Sequence, residues 1–186
     1  MGWVLLTLRK QELQSSVADR QLKLLQISNQ LKRLESFSSA ISNGKIDPNE
    51  IASMGTSLFG AGLEFMEDST TRADEIANDQ TAYYADMWDR TRNTNSNVTF
   101  NMSFGEAKFL DENGDLNVDA LYSNFVDENL KEIVQEYYEP LINEMEKELE
   151  REKTEQETLL AQEEAEMQSV GQSISQSISN STIKLS

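Results

Sequence analysis

The two side chains that carry most catalytic and metal chemistry are missing: the chain has no cysteine and no histidine. Without cysteine there is no disulfide, no thiolate nucleophile and no thiolate zinc ligand. Without histidine, every scheme built on an imidazole base is closed, as is the Glu-x-x-His metal motif of helical bundles. A cysteine-free chain fits a cytosolic product, a virion component or a protein exported without oxidative folding. Apolar residues are also scarce, at 38% against about 45–50% in ordinary globular domains, which points to a thin core and an extended helical shape. Long hydrophobic runs are absent too. The opening Met-Gly-Trp-Val-Leu-Leu is apolar for six residues and has no basic segment before it. The expectation is therefore no secretory signal peptide and no membrane-spanning helix. Gly2 would suit N-myristoylation, but Leu6 stands where that signal requires Ser or Thr.

Positive charge is in short supply, with 16 Lys/Arg against 33 Asp/Glu and a net charge of −17. It is also unevenly placed. Residues 1–46 carry seven bases and three acids, for +4, whereas residues 47–186 carry nine and thirty, for −21. Such asymmetry can mark a nucleic-acid or membrane surface at the basic end. Here the bases are spread around a helix and far more acid follows in the same chain. The expectation is that the basic N-terminal helix pairs with acidic helices of the same or a neighbouring subunit, with no nucleic-acid partner.

What the sequence does contain is helical periodicity. With Leu13 assigned to heptad position d, the a positions are Lys10, Val17, Leu24, Leu31 and Ser38. The d positions are Leu6, Leu13, Arg20, Ile27, Leu34 and Ile41, and eight of these eleven residues are apolar. A pattern sustained over about five repeats argues for a coiled coil or a long bundle helix. Leu22, Leu25 and Phe37 widen the stripe, as in a helix that packs against more than one neighbour. Leu13, Val17, Leu24, Ile27, Leu31, Leu34 and Ile41 are the candidate interface, lying either between subunits or within one bundle.

The first helix should end at Ser42-Asn43-Gly44. A second should start at Asp47-Pro48-Asn49-Glu50, with Asp47 as cap, Pro48 in the first helical position and Glu50 completing a capping box. Ile51, Met54, Leu58, Phe59, Leu63 and Met66 form its apolar face. The interspersed Gly55, Gly60 and Gly62 either admit a close neighbour or mark a break near 60–62. A further helical stretch over about 67–92 presents Ala73, Ile76, Gln80, Tyr83 and Met87. Residues 93–118 change character. Val98, Phe100, Met102 and Phe104 alternate with polar residues, and Phe109-Leu110 and Leu116-Asn117-Val118 flank a turn at Asp111–Asp115. Together these predict a small β-hairpin insert. Asp119 should then cap a helix with Leu121, Phe125, Leu130, Ile133, Val134, Tyr137 and Tyr138 on its face, kinked or restarted at Pro140. Residues 127–166 hold fifteen acids and four bases, and no apolar residue lies between Glu150 and Thr158. That segment is either solvated or set against basic neighbours. The Ser/Gln-rich tail, from 169, continues a spacing of Met167, Val170, Ile174 and Ile178 like that of a docking helix, with low-complexity disorder as the alternative.

The fold class read from this is mainly α: an elongated helical bundle or coiled-coil arms with a small β-hairpin insert. Its segments are 1–46, 47–92, 93–118, 119–168 and 169–186.

Candidate chemistry is sparse. Asp111, Asn113 and Asp115 take the first three oxygen-ligand positions of an EF-hand calcium loop. Leu116 replaces its turn glycine, however, and Tyr122 its bidentate glutamate, so a hairpin turn competes with the calcium reading. Gly44 to Glu50 imitates only the second half of such a loop. Asn97, Asn101 and Asn180 begin glycosylation acceptor triplets, which carry no weight without a signal peptide. Tyr83, Tyr84, Trp88, Tyr137 and Tyr138 are either packing residues or an aromatic binding cluster. No glycine-rich phosphate loop occurs, and no catalytic or cofactor site is assigned. The expected function is a non-enzymatic structural or assembly subunit, the alternative an acidic helical adaptor for a basic partner.

Overall fold

The computed structural model describes residues 2–42, 47–60, 62–93 and 109–183. These residues are mainly α, forming α1 (Gly2–Ser42), α2 (Pro48–Phe59), α3 (Leu63–Asn93) and α4 (Val118–Ile183). None of these helices is long and apolar enough to cross a membrane. The chain divides into two compact units: unit 1 is Met1–Leu34 with Asn143–Ser186, and unit 2 is Glu35–Ile142.

Unit 1 pairs the N-terminal part of α1 with the C-terminal part of α4. The pairing is antiparallel, since residues that rise along α1 meet residues that fall along α4: Arg9 with Glu166, Ser16 with Glu163, Lys23 with Glu152. Leu13, Val17, Ile27 and Leu34 are buried on α1, and Leu149 is buried on α4. These are heptad positions, so burying one stripe of each helix accounts for the pair. The Ser/Gln-rich tail stays helical to Ile183, with Met167, Val170 and Ile174 half-buried.

Unit 2 is built around aromatic side chains. Asp47 caps α2, its Oδ1 accepting the amides of Asn49 at 2.9 Å and Glu50 at 3.3 Å, and Pro48 opens the helix. Gly60 ends α2 in the left-handed conformation, φ 75°, with its N–H donating to Thr56 O at 3.0 Å. Tyr138 of α4 is fully buried, edge-on to Phe37 at 4.9 Å and near Phe59 at 5.6 Å and Phe65 at 5.2 Å. A Cβ added to Gly55 would stand 2.5 Å from the Tyr138 hydroxyl, so this glycine makes room for the ring. The glycines of α2 thus do both things the sequence left open: Gly55 admits a neighbour and Gly60 makes the break. Further along, Ala77, Phe109, Leu121 and Phe125 form a second cluster, with Tyr84 stacked on Phe125 at 5.5 Å.

Three expectations need correction, and one of the two alternatives at Pro140 is not seen. The β-hairpin insert is not seen among the described residues: Leu110 and Leu116 form one isolated antiparallel bridge around the turn. The alternating segment from Val98 to Phe104 lies outside the described residues, as do Asn43 to Ile46, Asn97 and Asn101. The hairpin stops short because Asn117, not Asp119, caps α4: its Oδ1 accepts the Ala120 amide at 3.0 Å, and the chain turns helical at Val118. Pro140 does not restart the helix; α4 runs through it, and both Pro140 and Glu136, whose carbonyl loses its partner, are exposed to water. Finally, Tyr83 and Tyr137 are exposed, while their neighbours Tyr84 and Tyr138 turn inward. On α3 the buried stripe through Met66, Ala73, Ala77 and Thr81 continues to Tyr84, and on α4 the one through Leu130 and Val134 continues to Tyr138.

Two outcomes follow. Gly55→Val should lower stability by about 1–3 kcal/mol, the usual cost of overpacking, as read from the urea midpoint; an unchanged midpoint would mean that Tyr138 moves aside freely. Burial, and then the neighbouring Tyr137, push the Tyr138 phenol up to about 12. The folded state therefore holds this proton above the ordinary phenol range. Its contribution is fully present below about pH 10 and should be lost between there and about pH 12, by about 2–3 kcal/mol. Tyr138→Phe should flatten that fall; an identical fall in the variant would assign it to other groups.

Candidate functional site: a helical interaction surface

The unit 1 helix pair carries a polar layer where α1 interrupts its apolar pattern. Arg20 occupies a d position. Its Nη2 meets Glu163 Oε1 at 2.8 Å and its Nη1 donates to Gln156 Oε1 at 3.0 Å. Ser16 Oγ donates to the same Glu163 oxygen at 2.8 Å, and Lys23 Nζ lies 2.7 Å from Glu152. Farther out, Arg9 forks onto Glu166 at 2.9 and 3.1 Å. In the apolar-free stretch of α4, Glu152 and Gln156 are thus set against α1 bases, while Arg151, Thr154, Glu155 and Glu157 are solvated. Desolvation pushes the Glu163 carboxyl up. The hydrogen bonds from Arg20 and Ser16, with the charges of Arg20 and Arg9, outweigh it and hold the carboxyl below the usual range. The Glu166 and Glu12 carboxylates raise Arg9 above its ordinary value.

Of the interface candidates, Leu13, Val17, Ile27, Leu34 and Ile41 are buried within the chain, and Leu24 and Leu31 are half-buried. The stripe they form is therefore filled by the chain's own residues. The opposite face of α1 is the more informative one for partners. Leu22 and Leu25, read from sequence only as a widening of the stripe, are 56% and 58% exposed. They continue into exposed Ser15, Ala18 and Asn29, with Val4 and Leu8 exposed near the helix start. From Ser15 to Asn29 the spacing is three or four, and within that run Ala18, Leu22 and Leu25 form a short apolar patch, flanked by polar Ser15 and Asn29, on the face opposite the buried stripe. A groove of about 450 Å³ lies beside it, lined by Lys23, Gln26, Ile27, Asn29, Gln30, Arg33 and Glu152. In the 127–166 segment, Glu144, Glu146, Glu148, Glu150, Glu155 and Glu157 remain exposed.

Elsewhere the geometry is that of packing. Among the described residues no group of three or more His, Cys, Asp or Glu side chains could hold a metal ion. In the candidate calcium loop, Asp111 Oδ1 accepts the amides of Asn113 and Asp115, both at 2.8 Å, and Asp115 pairs with Arg92. Gly114 takes φ 76° at the tip, so this segment is a turn closed by its own aspartate. Of the aromatic candidates, Tyr84 and Tyr138 belong to the unit 2 core. Comparison of the chain with protein-family models, curated proteins and solved structures gave no match.

With Asp111 committed to backbone amides and Asp115 to a guanidinium, millimolar calcium should leave the melting temperature unchanged. A bound cation at one hundred times its dissociation constant would add about 2.7 kcal/mol. A clear upward shift abolished by Asp111→Ala would make the turn a calcium site.

Proposed function

We propose that this chain is a non-enzymatic structural subunit that associates through its helices with further copies of itself, as part of a filament, tube or particle shell. One observation carries the reading: α1 buries one apolar stripe within the chain and exposes Val4, Leu8, Leu22 and Leu25 on the opposite face, which no described residue covers. A single-chain helix pair needs one stripe on each helix. Leu22 and Leu25 lie in water on the other side, where a helical partner would give them a reason to be apolar. Isolated exposed leucines are ordinary, but two on one helix face, flanked by small and amide residues at helical spacing, make a patch on which a second helix can pack.

The exposed acids of α4 favour a second reading, an adaptor that holds a basic partner. Such a surface attracts cationic proteins in a salt-dependent way. It leaves the outer face of α1 without a role, which is why assembly is preferred.

Light scattering distinguishes the two readings. The chain should have a mass of two or more copies at micromolar concentration. Leu22→Glu with Leu25→Glu should reduce it to one copy while the helical circular dichroism stays intact, because both side chains are exposed. A single-copy mass for the unmodified chain across all concentrations would remove the assembly reading and favour the adaptor.

A further inference from the structure

The charges beside the outer stripe of α1 specify how a second copy would sit on it. Along one edge of the stripe, at seven-residue intervals, stand Glu12, Asp19, Gln26 and Arg33. All four are exposed. Glu12 makes one intrachain ion pair, with Arg9 at 3.3 Å, between two exposed side chains on the same helix. No ion pair joins Asp19 or Arg33 to another described residue. The edge therefore runs from acid through amide to base, and Leu22 and Leu25 lie beside its middle.

We propose that this face takes the same face of a second copy of the chain, with the two α1 helices antiparallel. The proposal rests on the assembly reading and gives it a partner and a geometry. In an antiparallel pair related by a two-fold axis, each edge of one helix meets the same edge of the other. Setting Leu22 against Leu25 of the second copy, and Leu25 against its Leu22, fixes the register. Ala18 then faces Asn29, and Ser15 faces Lys32. Along the edge, Glu12 faces Arg33 and Asp19 faces Gln26, each twice by symmetry. No like charges oppose one another in these layers. A parallel pair centred on the same leucines brings each edge against the opposite one. Glu12 then meets Thr7, Arg33 meets Ser28, and Lys32 lies beside the second copy's Lys32 in the apolar layer. The antiparallel arrangement gains two ion pairs; the parallel one gains none and sets two cations together. Small and amide side chains at Ser15, Ala18, Gln26 and Asn29 let two backbones approach, and Lys32, opposite Ser15 at the end of the strip, reaches water along its flexible stem.

The test uses the full chain at physiological ionic strength, where the Debye length of about 8 Å limits repulsion between the two acidic bodies. Sedimentation equilibrium reads the association constant. Arg33→Glu alone, and Glu12→Arg alone, each turn two attractions into two repulsions and should weaken association about tenfold. Glu12→Arg combined with Arg33→Glu restores opposite charges in the antiparallel pair and should recover the original constant. Orientation has an independent readout, because the native chain has no cysteine. Mixing Leu22→Cys chains with Leu25→Cys chains under oxidising conditions should give mainly the mixed disulfide; a parallel pair gives Leu22→Cys and Leu25→Cys homodimers instead. If the unmodified chain associates but both charge variants leave its constant unchanged, or the homodimers dominate, the antiparallel pairing is overturned and assembly stands. If the unmodified chain is a monomer throughout, both fall.

Discussion

Unit 1 depends on how the Arg20 guanidinium is accommodated. A cation at a d position between apolar layers is costly to bury alone, and leaving it without a partner would cost several kcal/mol. Glu163 and Gln156 reach it from α4, with Ser16 completing the set. The arrangement works in one alignment. A slip of one heptad in either direction sets Leu149 or Val170 beside the guanidinium and takes Lys23 away from Glu152. The apolar contacts alone tolerate such slips, since one leucine layer resembles another. The polar layer thus specifies register more than it adds stability, the use of buried polar groups best known from coiled coils. Its geometry is not fully satisfied: Arg20 Nε and Glu163 Oε2 are buried without a hydrogen-bond partner.

Unit 2 is specified differently, by shape. Tyr138 is a large ring surrounded by Phe37, Phe59 and Phe65, and it fits because Gly55 has no side chain. Aromatic rings prefer edge-on and offset contacts, and the right angle between Phe37 and Tyr138 is of that kind. The capped start of α2 at Asp47 and its left-handed end at Gly60 hold Gly55 in the middle turn, opposite the ring. Two local rules of backbone chemistry and one missing Cβ therefore place a fully buried aromatic ring.

The two units differ in what they leave for partners. Most aromatic side chains of unit 2 are used internally. Unit 1 buries one stripe of α1 against α4 and leaves the opposite stripe, Leu22 and Leu25 with their amide and small neighbours, in water. The many carboxylates of α4 divide in the same way: Glu152, Glu163 and Glu166 are held by α1 cations, and Glu144, Glu146, Glu148, Glu150, Glu155 and Glu157 stay exposed. An acidic exterior repels other acidic chains at long range. Association between copies then depends on a short, charge-poor patch such as the outer face of α1.

The sequence by itself determined the mainly helical character, the Asp47 cap, the basic and acidic segments that could pair, and the heptad stripe with its polar interruption at Arg20. Each is local or periodic, so each can be read from spacing of 3.6 residues and from capping chemistry. Only the tertiary structure decided which apolar residues of α1 are covered, because Leu22 and Leu31 look alike until a partner covers one of them. It also decided that Tyr84 and Tyr138, rather than Tyr83 and Tyr137, point inward, since adjacent tyrosines differ by one helical step and packing alone chooses between them. The turn at Asp111–Asp115 was legible, but not that the described chain around it forms a single bridge instead of a hairpin. Pairing of strands depends on how much chain is left before the next helix, and Asn117 starts α4 one residue after the single bridge.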